Sequence, residues 1–321
     1  MTDVERSLPT SGTEPLAAGV DAPSALRTLR STVGAYVALT KPRIIELLLV
    51  TTLPAMLLAA GGWPPTAVVV ATLVGGSAAA GGANALNCFI DRDIDAVMRR
   101  TARRPLNGSD VSPTGALVFG TVLGLVAVGL LWRLTNPLAA ALTAGAIVMY
   151  VVGYTLLLKR RTPSNIVWGG SAGCMPTLIG WAAVTGRLSL APFVLFGIVF
   201  FWTPPHFWAL AMRFREDYAA AGVPMLPVVA TSRVVTQRMA VYTWVTVATS
   251  LVLWPVAGTG LLYPGAAVVL GAGFLREVER LRRSVARGEV AKPMRVFHWS
   301  ITYLSGLFLC LALDVLVRSW W

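Results

Sequence analysis

Asn87, Asp91 and Asp95 stand four residues apart in the stretch Asn87-Cys88-Phe89-Ile90-Asp91-Arg92-Asp93-Ile94-Asp95. On a continuing helix this spacing puts all three on one face, with Asp93 projecting to the opposite side. Two carboxylates and an amide oxygen make a hard-oxygen site suited to Mg2+, an ion that usually shares its shell with substrate phosphate. Arg100, Arg103 and Arg104 follow immediately and have the paired N–H donors that hold phosphate oxygens. A solvated loop of mixed charge is the competing reading. The acids' position at the end of an apolar run argues against it, because a carboxylate near lipid is costly without a partner.

The elements that position these groups belong to a membrane. Of 321 residues, 55% are hydrophobic and only 13% charged, and the mean hydropathy is +0.67. Soluble domains carry roughly twice that share of charge. A soluble globule is excluded, as is disorder over most of the length. The pattern predicts an all-α, polytopic membrane protein. Nine apolar segments near 43–61, 66–90, 114–133, 137–158, 163–184, 190–212, 238–257, 259–275 and 297–317 predict about nine transmembrane helices around a central cavity. The eighth is the shortest.

The net charge of +12 does not point to nucleic acid, because the bases lie in short loops between apolar segments. Of the 27 Lys and Arg, only Arg133, Arg187 and Arg318 fall outside the inner side when the N-terminus is cytoplasmic. Trp63, Trp132, Trp254, Trp320 and Trp321 then fall at the outer interface, where indole rings settle. Residues 1–35 read as a flexible cytoplasmic tail without the apolar core of a signal peptide. Residues 36–321 form the transmembrane domain, in a plasma membrane of bacterial type, with the acidic site on the cytoplasmic side. Cys88, Cys174 and Cys310 have no metal-binding spacing and read as small buried hydrophobes. Acidic clusters follow both the second and the sixth segments, a faint sign of duplication.

The run Asn87-xxx-Asp91-xxx-Asp95 with Arg100-Thr101-xx-Arg104-Pro105-Leu106 resembles the first signature of the UbiA-type intramembrane prenyltransferases. The loop after the sixth segment reads Phe201-Trp202-Thr203-Pro204-Pro205-His206-Phe207-Trp208, then Arg213-Phe214-Arg215-Glu216-Asp217. Together with Thr40-Lys41-Pro42-Arg43, Tyr154 through Thr162, and Val296-Phe297-His298-Trp299-Ser300, it is similar to the haem-farnesylating branch of that superfamily, the protohaem IX farnesyltransferase family. The likeness runs from about residue 35 onward.

The resemblance implies farnesyl diphosphate as donor and haem b as acceptor, with Mg2+ as the cofactor. It implies a catalytic set of Asn87, Asp91, Asp95 and Asp217. Metal would be held by Asn87, Asp91, Asp95, Glu216 and Asp217, and diphosphate by Arg100, Arg104, Lys159, Arg160 and Arg213. Where the superfamily usually has DxxxD, this chain has Arg213-xxx-Asp217. A haem vinyl group would attack the farnesyl carbon, and water would capture the resulting cation to give haem O. A downstream haem A synthase is the candidate protein partner, alongside membrane lipid.

Read alone, Lys159, Arg160 and Arg161 also serve as topology determinants. His206, in an expected Pro-Pro-His helix break, and His298 are candidate haem-iron ligands, or else hydrogen-bonded helix-end residues. Asn165 caps the fifth segment or reaches the cavity. Glu46 and Asp314 are intramembrane acids without a motif. Two other functions stand as alternatives: prenylation of an aromatic or quinone precursor, and a haem carrier or transporter.

Overall fold

Proline and short polar side chains set where the helices begin. Pro42, Pro113 and Pro137 occupy first-turn positions, where a missing N–H costs nothing. Ser112 Oγ accepts from Gly115 N at 3.0 Å, and Asn136 Oδ1 accepts from Ala139 N at 3.0 Å, each capping the helix that follows. The computed structural model describes residues 25–99, 101, 104–106 and 110–319, without the side chains of 25–30, 43, 44 and 47.

The helices in chain order are α1 (Ala25–Thr40), α2 (Pro42–Ala60), α3 (Thr66–Ile90), α4 (Arg92–Val97), α5 (Pro113–Leu134) and α6 (Pro137–Val148). A π-helical stretch, Met149–Leu158, continues α6. Then come α7 (Asn165–Gly169), α8 (Ser171–Thr185), α9 (Leu190–Arg213), α10 (Arg215–Ala220) and α11 (Leu226–Val229). The chain closes with α12 (Ser232–Ala257), α13 (Leu262–Ala286) and α14 (Pro293–Ser319). No strand occurs among the described residues.

Each of the nine apolar segments carries helix. Among the described residues six helices are long and apolar enough to cross a bilayer: Thr66–Ile90, Pro113–Leu134, Pro137–Leu158, Leu190–Arg213, Ser232–Ala257 and Pro293–Ser319. This is a multi-pass membrane protein. Val118, Val122, Leu125 and Val126 form an exposed apolar stripe along α5, as a lipid-facing helix requires.

Three expectations change. α1 begins at Ala25, inside the expected tail 1–35, and packs on α3; residues 1–24 lie outside the described residues. The fifth segment divides into α7 and α8 at Gly170. Pro204 and Pro205 do not break their helix: α9 runs through both, which are buried against its neighbours. Packing on α8, α12 and α14 keeps α9 continuous where two lost amide donors would otherwise end it.

The main core surrounds α9 and includes Leu195, Ile198, Trp208, Phe274, Tyr303 and Phe308. α3 and α5 approach so closely that a Cβ at Gly82 would lie 2.7 Å from Gly120 O. Small residues of this kind let membrane helices meet backbone to backbone. Asp314, buried in α14, caps α13 from outside: its carboxylate accepts from Gly260 N at 2.6 Å and Tyr263 N at 3.3 Å. That is a structural task for an intramembrane acid.

Candidate active site

α3 ends at Ile90, with Asp91 as its C-cap, and α4 restarts at Arg92. The helix therefore does not simply continue, yet the i+4 pattern survives the joint. Asp91 N donates to Asn87 O (2.9 Å) and Asp95 N to Asp91 O (2.8 Å). Asn87, Asp91 and Asp95 thus stay on one side, all buried, while the Asp93 side chain is 62% exposed.

A dense polar network surrounds them. Asn87 Nδ2 donates to Asp91 Oδ2 (2.7 Å) and to Thr155 Oγ1 (3.1 Å). Lys41 Nζ donates to Asn87 Oδ1 (2.8 Å). Lys159 donates to Asp91 Oδ2 and Arg104 to Asp95 Oδ2. Arg160 grips Asp93 with two hydrogen bonds of 2.7 Å and stands 3.7 Å from Asp91 Oδ1. That grip holds the Asp93 carboxyl down to about 2. Desolvation pulls the Lys41 ammonium down to about 8, against nearby acids that favour its charge. Lys41 is also the one non-glycine with positive φ among the described residues (φ 53°).

The second acidic stretch docks beside the first. Arg99 Nε lies 3.0 Å from Asp217 Oδ1 and Arg99 Nη2 3.2 Å from Glu216 Oε2. Beneath this bridge Ile94 and Met98 pack with Ala211, Tyr218, Val223 and Met225. Asp217 is buried; the Glu216 side chain is exposed. A hollow of about 380 Å³ opens next to the network, lined by Ile90, Arg92, Asp93, Thr155, Leu156 and Arg160.

The residues present fit Mg2+. Asp91 Oδ1 is buried and accepts no hydrogen bond, and the side-chain oxygens of Asn87, Asp91 and Asp95 are hard ligands. Among the described residues no three Asp, Glu, His or Cys side chains converge on one point.

Other expected site residues are placed differently. Arg213 ends α9 exposed and makes no ion pair among the described residues. Arg100 and Arg103 lie outside the described residues. His206 is buried in the α9–α14 seam, its ring between Trp202 (centroids 4.3 Å apart) and Phe297 (4.5 Å). Ser300 Oγ gives its proton to Phe297 O (2.6 Å), so it accepts from His206 Nδ1 (2.7 Å). In the neutral ring Nε2 then carries the lone pair. His298 lies exposed near the start of α14. Asn165 is fully buried; its Nδ2 holds Lys159 O at 3.1 Å and its Oδ1 has no partner.

Residues 48–301 match the model of the UbiA prenyltransferase family. The chain belongs to this family. It is 58% identical over 295 residues to a protein of Nocardioides sp. named protoheme IX farnesyltransferase, covering 91% of this chain and 94% of that one. It is 56% identical over 302 residues to a Salinispora tropica protein of the same name, covering 94% of each. As a UbiA-family fold it superposes on a solved structure of digeranylgeranylglyceryl phosphate synthase with a TM-score of 0.74 at 14% identity, covering 89% of this chain and 99% of that one. A UbiA homologue of Archaeoglobus fulgidus, solved with GPP and Mg2+, gives 0.62 at 15% identity, covering 88% and 99%.

Sequence reasoning passed over several residues of this UbiA-family site. Arg99 was hidden in the run 99–104, where Arg100 and Arg104 drew the assignment. Lys41 lay in a recognised motif without a role. Thr155, Tyr150 and Asn84 carried no signal, since each looks like an ordinary polar residue in an apolar helix.

Proposed function

We propose that this protein transfers the farnesyl group of farnesyl diphosphate to a vinyl group of haem b, with water addition, giving haem O and diphosphate. The observation that carries the reading is the meeting of Asn87, Asp91 and Asp95 with Lys41, Arg104, Lys159 and Arg160 at one helix end. Relatives over nearly the whole length that bear the farnesyltransferase name support the choice of donor and acceptor.

The chemistry follows from charge. Diphosphate leaves an allylic carbon only when its growing negative charge is stabilised. Asn87, Asp91 and Asp95, with Asp217 and Glu216 as further candidates, would hold Mg2+, which would supply Lewis-acid stabilisation of that charge. Lys159, Arg160 and Arg104 orient the diphosphate oxygens, with Arg100 and Arg213 as further contacts. Buried acids and basic partners at a helix end keep the ionic head fixed while the farnesyl chain lies against apolar helix surface. Exclusion of bulk water at the reacting carbon protects the allylic cation from hydrolysis. The haem vinyl carbon forms the new bond to the farnesyl carbon as the C–O bond breaks. Water then adds to the cation beside the pyrrole and loses a proton.

His206, with Nε2 free for a metal, and the exposed His298 are the haem-binding candidates. The full topology in this reading has about nine spans, a cytoplasmic N-terminus, a plasma membrane location and the acidic site on the cytoplasmic side. A downstream haem A synthase takes the product.

Expression in a host lacking its own haem O synthase tests the reading. Mass spectrometry of extracted haem is expected to find haem b plus farnesyl plus water. Unmodified haem b alone, with the protein folded and both substrates present, rejects it.

A further inference from the structure

Met149–Leu158 is wound as a π-helix, and Lys159 N reaches back five residues to Tyr154 O (2.8 Å). Turns of this kind are rare and are common at functional sites. In an α-helix residues 150 and 155 would diverge by about 140°. Here they face α3 together. Tyr150 Oη donates to Asn84 Oδ1 (3.3 Å), Thr155 Oγ1 accepts from Asn87 Nδ2 (3.1 Å), and Lys159 donates to Asp91. Two positions on the wide helix and its C-cap Lys159 thus meet two positions on α3 and its C-cap Asp91.

Thr155 is fully buried, and its hydroxyl proton goes to Tyr150 O at 2.9 Å. Only its lone pair is left for Asn87. The other N–H of Asn87 goes to Asp91 Oδ2, and its oxygen faces Lys41. A reversed amide would set oxygen against carboxylate and NH2 against ammonium, with Thr155 left lacking its donor.

We propose that Thr155, presented by the π-helical turn, is a positioning residue that fixes the Asn87 amide, with its N–H groups on Thr155 and Asp91 and its oxygen on the Lys41 side, at the edge of the metal and diphosphate site. The inference rests on the reading of Asn87 and Asp91 as Mg2+ ligands. Partners that orient a ligand from behind commonly contribute 10–100-fold in metal affinity or activity.

The test uses the full chain in detergent, with Mn2+ as the paramagnetic probe and a non-transferable thio-analogue of farnesyl diphosphate. Thr155→Val is expected to raise the Mn2+ dissociation constant by about 10–100-fold. Thr155→Ser, which keeps the hydroxyl, is expected to bind as the wild type does. In turnover, the valine variant needs correspondingly more Mg2+, and its melting temperature does not account for the loss. If valine does not fold, Thr155→Ala carries the same expectation. Mn2+ binding unchanged in the folded valine or alanine variant, while Asp91→Ala abolishes it, overturns the role of Thr155 alone. Mn2+ binding unchanged in Asp91→Ala overturns the metal reading itself, and this inference with it.

Discussion

Lys41 Nζ lies 2.8 Å from Asn87 Oδ1, so a cation already holds the amide oxygen assigned to metal. The two residues are brought together by the left-handed turn at Lys41, which aims the ammonium inward between α1 and α2. Lys41→Met removes a charge-assisted hydrogen bond and a competitor for Asn87. Such bonds are worth about 1.5–3 kcal/mol. The KM for farnesyl diphosphate is expected to rise about tenfold or more, while half-saturating Mg2+ falls. Steady-state kinetics at varied Mg2+ measure both; a variant with both constants at wild-type values removes Lys41 from the site.

Asp93 and Arg160 give a pH-dependent pair. The folded Asp93 carboxyl sits at about 2 against an ordinary 3.8, so its contribution to stability is present above 3.8. That contribution disappears as pH falls through about 2. Asp93 is well exposed, so solvent screening keeps the effect small. Wild type is expected to melt slightly above Asp93→Asn at pH 7, with the gap closing between pH 4 and 2. A gap that widens on acidification contradicts the pairing.

Much of the architecture was legible because hydropathy responds to lipid directly: every apolar segment carries helix. The Asn87, Asp91 and Asp95 face was legible because hydrogen bonds across the α3–α4 joint keep a helical period. The π-helix was not, since a change from i+4 to i+5 hydrogen bonding inside one apolar run leaves no separate hydropathy signature. Nor were Lys41 with Asn87 or Arg99 with Asp217, which lie 46 and 118 residues apart and meet only after the helices pack. Pro204 and Pro205 misled for the opposite reason: a local rule gave way to burial on all sides.

Asp314 looks like a functional acid by its depth, but its partners are backbone amides at the start of α13. Asp314→Ala leaves those N–H groups without an acceptor. The cost expected is about 1–2 kcal/mol, the range for a lost helix cap. Thermal unfolding in detergent measures it, and turnover per folded molecule stays at the wild-type value. A turnover loss with unchanged melting places Asp314 in the chemistry instead.

Gly82 tests how the α3 end is held. A Cβ there meets Gly120 O at 2.7 Å and Gly124 N at 2.9 Å, both backbone atoms that no rotamer change can move. Gly82→Ala therefore forces α3 and α5 apart, at an expected cost of about 1–3 kcal/mol. Asn84 and Asn87 lie on the same helix within the next turn and a half, so the shift carries into the polar network. Stability and farnesyl diphosphate affinity are expected to fall together. Gly76→Ala, which meets nothing within 4 Å, serves as the control in the same helix and leaves both unchanged. Equal behaviour of the two variants shows that the close approach of α3 to α5 does not hold the site in place.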